Sequence, residues 1–108
     1  MIEPPLQPLR IPANWTISYN SFREVDPSSD VSEYLCEDLF QAKCPVTNVL
    51  VDLGWYPDGD PAGCFVIEAY IGDFLGQRLR RIEAPTRAEA TRCLEHALLE
   101  FHFAPPAP

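Results

Sequence analysis

The stretch DLGWYPDGDPAGCFVIEAYIGD, residues 52–73, decides the fold because it joins two apolar runs through a turn. The runs are residues 48–56 and 64–72, and the turn between them, PDGDPAG, contains the residue types that favour chain reversal. Since side chains alternate between the two faces of a strand, each run has one wholly apolar face. The residues of this face are Val49, Val51, Leu53, Trp55, Phe65, Ile67, Ala69 and Ile71. The pattern predicts a central β-hairpin with a loop longer than the minimum.

Three further segments extend the predicted sheet on either side of the hairpin. WTISYNSF, residues 15–22, has its Trp, Ile and Tyr at alternate positions, which predicts a strand with these three side chains on one face. EDLFQAKC, residues 37–44, is predicted as a strand rather than a helix, and the proline that follows ends it. QRLRRIEA, residues 77–84, is a shorter strand whose arginines suit the edge of a sheet.

The last element is a predicted amphipathic helix. Thr86 and Glu89 follow Pro85 in a capping-box pattern, which supplies partners for two backbone amides at the start of a helix. Six residues then recur at helical spacing on one apolar face: Ala90, Cys93, Leu94, Ala97, Leu98 and Phe101. Such a face must cover an apolar surface, and one face of the preceding sheet is the surface available.

The predicted fold class is therefore α+β, an antiparallel four- or five-stranded β-meander with a C-terminal amphipathic helix packed on one face. One helix cannot cover both faces of the sheet. If the registers hold, the second face carries a mixture of apolar, aromatic and acidic side chains: Leu50, Asp52, Tyr56, Val66, Glu68 and Tyr70. A face of this kind can be partly open to water and can also receive a partner.

Length and proline content set the predicted domain boundaries. A chain of 108 residues fits a single domain with one core. Prolines are dense at both ends, so residues 1–12 and 104–108 are predicted as extended tails around a domain at 13–103. The first residues lack the features of a secretory signal, and no apolar run approaches a membrane-spanning length. We therefore expect a cytoplasmic protein without a membrane partner.

The charge is strongly negative and unevenly distributed. Sixteen acids and eight bases give a formal net charge of -8. Between Glu24 and Asp73 there are eleven acids, and Lys43 is the only base. Nucleic acid is a poor partner for such a surface, because affinity for phosphates comes from Lys and Arg. A negative field attracts basic partners, although acids also serve simply to keep a small protein in solution.

Motifs for catalysis and metal binding are absent from the sequence. There is no nucleophile elbow, phosphate-binding glycine loop, H-E-x-x-H motif or dinucleotide fingerprint. Four cysteines, Cys36, Cys44, Cys64 and Cys93, include no C-x-x-C pair, and neither histidine completes a zinc-finger spacing. The acids of the PDGDPAG turn lack the later glutamate of a calcium loop. We expect structural thiols, no metal, no cofactor and no enzymatic activity.

A resemblance adds a function to this fold. IPANWTISYNSF at 11–22, EDLFQ at 37–41 and DLGWYPDGDPAGCFV at 52–66 precede a short basic strand and a terminal helix. Over most of residues 11–100 this pattern resembles the small cytosolic immunity proteins of bacterial polymorphic-toxin and contact-dependent growth-inhibition systems. Its anchors are W-x-I-x-Y-N-x-F and D-x-G-W-Y-P. The resemblance implies a protein that binds a cognate toxin and blocks the toxin's active site or a site beside it. Many such toxins are nucleases with basic surfaces.

The candidate partner-binding residues follow from the charge and the resemblance together. The acids are Asp58, Asp60, Asp73, Glu24, Asp26, Asp30 and Glu37. Exposed aromatic side chains often supply much of the affinity of an interface, and the candidates are Trp55, Tyr56 and Tyr70. Because Trp55 is in line with the apolar residues of its strand, burial is the favoured expectation for it.

Two other functions stay open at this point. One is a structural or scaffolding subunit that forms a homo-oligomer through its open sheet face. The other is a small hydrolase whose carboxylates converge from distant segments, which a cluster of perturbed acids in a pocket would favour.

Overall fold

A computed structural model describes residues 3–103 of the chain. Five strands form one antiparallel sheet in which neighbours in the chain are neighbours in the sheet. The strands are β1 Thr16–Asn20, β2 Phe40–Cys44, β3 Val49–Tyr56, β4 Cys64–Ile71 and β5 Arg78–Ala84. A short 3-10 helix, Ser29–Tyr34, lies between β1 and β2, and the α-helix α1, Arg87–Glu100, follows β5. The predicted α+β meander is confirmed, with five strands.

The helix covers the apolar face that the central hairpin predicts. Val51 pairs with Ala69, and Trp55 pairs with Phe65, so the apolar side chains of β3 and β4 lie side by side. Helix α1 contacts β3, β4 and β5 through its buried residues, which are Ala90, Leu94, Ala97 and Leu98. The Thr86 hydroxyl accepts a hydrogen bond from the Glu89 amide at 3.1 Å, as the capping pattern predicts. Burial of these side chains is the main driving force for the fold.

The part of the apolar face beside α1 is closed by the chain between β1 and β2. Phe22, Leu35 and Leu39 are buried in the same core. The Phe22 ring meets the Phe65 ring edge to face at 5.7 Å between centroids, which is a favourable aromatic geometry. The polar segment 23–34 is therefore held close to the sheet at both of its ends.

Residues 3–12 lie against the domain, which differs from the predicted tail outside the core. Leu9 and Ile11 pack against the core, and the Arg10 amide donates to the Glu95 carboxylate of α1 at 2.6 Å. Prolines remove backbone donors but keep the chain extended, so this segment attaches mainly through side chains and a few amides. The second predicted tail, 104–108, lies outside the described residues.

A bulge in β1 changes which face its side chains occupy. Ile17 pairs with Ala42, but Tyr19 pairs with Gln41, so Ser18 is an extra residue in the pairing. An extra residue reverses the alternation of the side chains that follow. The prediction of Trp, Ile and Tyr on one face is therefore wrong for Tyr19, which lies on the face opposite α1.

That uncovered side of the sheet is called the outer face below. One residue from each strand contributes to a continuous row across it, in the order Tyr19, Gln41, Asp52, Glu68 and Arg81. The row is polar, whereas the adjacent positions Leu50 and Val66 are apolar and buried. The outer face is therefore a strip of polar groups flanked by apolar side chains that are themselves buried.

Candidate functional site

The centre of the outer face contains a small acidic cleft. Its lining residues are Tyr19, Asp38, Phe40, Gln41 and Asp52, and its volume is about 300 Å³. Three of them come from the polar row, and Asp38 comes from the segment just before β2. Tyr19 is 47% exposed at the rim, so the cleft opens to solvent beside an aromatic ring.

Asp52 is the buried acid of this cleft. Only 5% of the residue is exposed; its carboxyl group forms no hydrogen bond or ion pair within residues 3–103, and its oxygens keep contact with solvent. Burial, followed by the nearby charges of Asp38 and Glu68, raises the pKa of Asp52 to about 7. The group therefore changes its charge in the neutral pH range, unlike an ordinary aspartate.

Tyr56 lies among the acids of the outer face. It is 36% exposed, and burial followed by the charges of four acids raises its pKa to about 12. The four acids are Asp52, Glu37, Glu68 and Asp38. A phenol with such a pKa stays neutral at physiological pH, so its hydroxyl remains a hydrogen-bond donor and its ring remains apolar.

Gly54 explains how the segment before β2 comes so close to β3. A Cβ atom at this position would lie 2.0 Å from the Glu37 carbonyl oxygen and 2.9 Å from the Tyr56 ring. The Trp55 amide donates to the Cys36 carbonyl at 2.8 Å, and the Leu39 amide donates to the Leu53 carbonyl. The glycine of the D-x-G-W-Y-P motif therefore permits a backbone approach that no other residue allows.

The loop between β3 and β4 is tied to the same segment. The Glu37 amide donates to the Asp58 carboxylate at 2.9 Å, and the Gly59 amide donates to the Leu35 carbonyl at 2.6 Å. Burial, followed by the charges of Asp58 and Asp38, raises the pKa of the Cys36 thiol. Asp58, Glu37 and Asp38 therefore converge from two segments, although the sequence predicts 37–44 as one strand. The strand begins only at Phe40.

Two other predicted acids stabilise turns through hydrogen bonds to backbone amides. Asp60 accepts a hydrogen bond from the Ala62 amide at 2.9 Å, and Asp73 accepts one from the Leu75 amide at 2.8 Å. Strand β4 separates their loops, so they lie roughly 23 Å apart at a rise of about 3.3 Å per residue. Asp73 therefore does not join Asp58 and Asp60 on one surface.

The acids of the segment after β1 do not line the acidic cleft. Asp26 pairs with Arg87 of α1 at 2.9 Å, and the Glu24 amide donates to the Pro5 carbonyl. Asp30 is an exposed residue of the 3-10 helix. Of the seven acids that the sequence singles out, Glu37 and Asp58 are the two that a hydrogen bond joins to each other within residues 3–103.

The three predicted aromatic anchors have different positions. Trp55 is 1% exposed and its indole N–H donates to the Asp60 carbonyl, so it belongs to the core and cannot contact a partner. Its inclusion as an interface residue is wrong, because its side chain points to the face that α1 covers. Tyr70 is half-buried, and its hydroxyl donates to the Glu68 carboxylate at 2.8 Å. Tyr56 is the aromatic residue that lies among the converging acids.

The cleft itself was missed by the sequence prediction. Asp52, Asp38, Gln41 and Tyr19 are not among the predicted partner-binding residues. One signal was present: Asp52 interrupts the apolar run NVLVDLGWY, and a carboxylate in the middle of a central strand is unusual. The position of Tyr19 depends on the bulge at Ser18, which no residue of TISYN announces.

The basic residues are largely neutralised elsewhere. Five arginines form ion pairs with described residues: Arg23 with Glu3, Arg78 with Glu68, Arg80 with Glu100, Arg81 with Glu83, and Arg87 with Asp26. Eleven of the sixteen acids form no ion pair within residues 3–103. These include Glu37, Asp38, Asp52 and Asp58. These four acids are therefore not neutralised by ion pairs within residues 3–103, whereas Glu68 of the outer face is paired with Arg78.

Other chemical features are few in the part of the chain that the structure describes. All four cysteines are free thiols. No group of three or more His, Cys, Asp and Glu side chains among the described residues is arranged to hold a metal ion. Over the same range, no helix has the length and apolar character needed to cross a membrane.

Comparisons of the chain with protein-family models, with curated proteins and with solved structures found no match. A function for this protein has to be argued from the geometry and the charges of the outer face.

Proposed function

We propose that this protein is a non-enzymatic binding protein, an immunity protein that binds and neutralises a cognate bacterial toxin through its acidic outer face. One observation carries the proposal: Glu37, Asp38, Asp52 and Glu68 lie around Tyr56 on the sheet face that α1 leaves uncovered, and Asp58 accepts a hydrogen bond from the Glu37 amide. The sequence resemblance to immunity proteins suggests that the partner is a toxin.

The charge of this surface favours a basic protein partner. Acids that have no internal cation attract positive charge over distances of about 10 Å at ordinary salt. Such attraction raises association rates by about 10-fold to 1,000-fold when the partner carries the opposite charge. A nuclease toxin with a basic substrate groove is a partner of this kind, since the carboxylates can occupy the positions of its substrate's phosphates.

Besides the charged groups, the outer face has an aromatic side chain, Tyr56, that a partner can contact. Charged groups steer and orient a partner, whereas aromatic side chains near the centre of a contact contribute much of the affinity. Because the loop at Asp58 and the segment at Glu37 are tied together, the ring and its surrounding acids form a preorganised surface. Little conformational entropy is then lost when a partner binds.

A growth assay tests this function. The product of the reading frame directly upstream of this coding sequence is co-expressed with the protein, and survival is measured. Wild-type protein should restore growth, and the double variant Glu37→Gln/Asp38→Asn should restore it less well. The matched control is Glu24→Gln/Asp30→Asn, which removes the same charge from two exposed acids that do not line the cleft. Equal protection by both variants, or no protection by the wild type, would contradict the proposal.

A small carboxylate-dependent hydrolase is a second candidate, and one observation favours it. Asp38 and Asp52 line the same cleft, and the pKa of Asp52 is raised to about 7, as for a general acid. Against it, no arginine, lysine or histidine of residues 3–103 lines the cleft to stabilise the negative charge that develops during ester hydrolysis. Hydrolysis of chromogenic glycoside or ester substrates that is lost in Asp52→Asn would support this candidate and would count against the binding protein.

A further inference from the structure

We propose that the acidic cleft receives one arginine side chain of the partner, whose guanidinium group pairs with the carboxylates of Asp52 and Asp38. The inference rests on the proposed function, because it names the chemistry that this surface recognises. It also makes a claim about the cleft alone, which can be tested without the toxin.

The first step of the argument is the buried carboxyl group of Asp52. Buried polar groups in proteins are nearly always hydrogen-bonded, and buried carboxylates are paired with a cation. Asp52 is 5% exposed and lines the cleft, and its carboxyl oxygens keep contact with solvent but have no partner within residues 3–103. A cationic donor that enters the cleft from another molecule would replace this solvent.

The second step is an internal comparison with Glu68. This residue is directly opposite Asp52 on β4, and it accepts a hydrogen bond from the Tyr70 hydroxyl at 2.8 Å. The Arg78 guanidinium pairs with the same carboxylate at 3.3 Å. The outer face therefore already holds one carboxylate between a tyrosine and an arginine. Asp52 has Tyr19 in its cleft and no arginine.

The third step concerns which cation fits. A guanidinium group is planar, donates in a fork that matches two carboxylates, and stacks on aromatic rings. The cleft offers carboxyl groups at two positions and the half-exposed ring of Tyr19 at its rim. Its volume of about 300 Å³ is at the lower limit of small-molecule sites, which suits one extended side chain. A lysine ammonium would gain neither the fork nor the stacking.

The pairing has a consequence for pH. A bound cation stabilises the charged form of Asp52, so binding should release a proton below neutral pH and become tighter as the pH rises. The groups that face Asp52 and its row are Asp38, Gln41, Tyr56, Glu68 and, beyond Glu68, Arg78 and Arg81. Because the pKa of Asp52 is raised to about 7, we expect the pH dependence of binding near neutral pH to follow the titration of Asp52.

Isotope-labelled protein titrated with N-acetyl-argininamide provides the test, with amide chemical shifts as the measurement. N-acetyl-citrullinamide, which has the same shape without the charge, and N-acetyl-lysinamide are the comparison ligands. Saturable shifts at Tyr19, Asp38, Gln41 and Asp52 are expected with the arginine compound. Citrulline should cause none, and lysine should bind more weakly.

The variant Asp52→Asn should weaken the binding of argininamide by about tenfold or more and remove its pH dependence, because it removes the buried charge. Asp30→Asn is the matched control and should bind as the wild type does. The spectrum of each variant reports whether it is folded. Equal shifts with citrulline, equal affinity for lysine, unchanged binding by Asp52→Asn, or shifts spread over all exposed acids would each overturn the proposal.

The two proposals fail in different ways. Argininamide binding in the cleft together with no protection from the toxin would refute the immunity function and leave the cleft as a guanidinium site. Toxin protection that depends on Glu37 and Asp38, without any argininamide binding, would refute the cleft and leave the immunity function.

Discussion

Asp52 and Glu68 pair directly across β3 and β4, and Glu68 alone of the two is bound by a guanidinium group, at 3.3 Å from Arg78. Two carboxyl groups in adjacent strands repel each other when both are charged. The structure relieves this by neutralising Glu68 through Arg78 and by raising the pKa of Asp52. The second carboxyl group is left ready for a cation from outside the chain.

The first prediction is that Asp52→Asn stabilises the protein at high pH. The pKa of Asp52 rises from 3.8 in the unfolded chain to about 7 in the folded one, so the folded state binds the proton more tightly. Stability from this group is complete below about pH 4 and is lost as the pH rises through 7. At about pH 8 the variant should gain at most about 4 kcal/mol in free energy of unfolding.

Urea unfolding of both proteins at a series of pH values measures this effect. The difference between them should shrink toward acid pH, and Asp30→Asn should show no such trend. A variant that is less stable than the wild type at about pH 8 would mean that the charged Asp52 is stabilised by the fold.

The second prediction concerns Gly54. In Gly54→Ala the new Cβ atom would lie 2.0 Å from the Glu37 carbonyl oxygen, so the segment 36–38 must move away from β3. We expect the free energy of unfolding to fall by about 2 kcal/mol or more, as for other overpacked sites. Gly59→Ala is the comparison: it has no atom within 4 Å of the new Cβ, and only its φ of +74° causes strain. The free energy of unfolding of that variant should fall by about 1 kcal/mol. If thermal unfolding shows that both variants are destabilised equally, the packing role of Gly54 is contradicted.

The third prediction is that Asp58 holds the acidic segment in place. Asp58→Ala removes the acceptor for the Glu37 amide and should cost about 1 kcal/mol. Asp58→Asn keeps an acceptor oxygen and should cost less. Hydrogen exchange at the Glu37 amide should accelerate in the alanine variant and change little in the asparagine variant. Unchanged exchange in both would show that the 2.9 Å contact does not protect this amide.

The fourth prediction tests the attachment of residues 3–12. Leu9→Ala and Ile11→Ala remove side chains that pack against the core, and each should lower the free energy of unfolding by about 1 kcal/mol. Leu6→Ala is the control, because Leu6 is exposed. Three variants of equal stability to the wild type would agree with the extended tail that the proline content predicts.

The sequence predicts the hairpin and helix well because their apolar residues have the period of the element that contains them. Val51, Leu53 and Leu94 are buried where that period puts them. The same rule fails at Tyr19, since one bulged residue reverses the alternation without any change in composition. Proline content also misleads at residues 3–12, because it reports missing donors and says nothing about the side chains of Leu9 and Ile11.

The candidate site is harder to predict because its residues come together only through the register in which neighbouring strands pair. Asp73 and Asp58 look alike in sequence, but β4 lies between them, and only Asp58 reaches the segment at Glu37. Asp52 joins the cleft because β2 and β3 pair Gln41 with it. Neither relationship can be read from a single segment, since each depends on how two segments align.

The association rate of the protein with the product of the reading frame directly upstream of its coding sequence tests the central claim most directly. It is measured for wild-type protein, Glu37→Gln/Asp38→Asn and Glu24→Gln/Asp30→Asn over a series of salt concentrations. If the acidic outer face binds the partner, the first variant should associate about tenfold more slowly at low salt, with a weaker salt dependence, and the control should resemble the wild type. Identical rates and salt slopes for the two variants would contradict it.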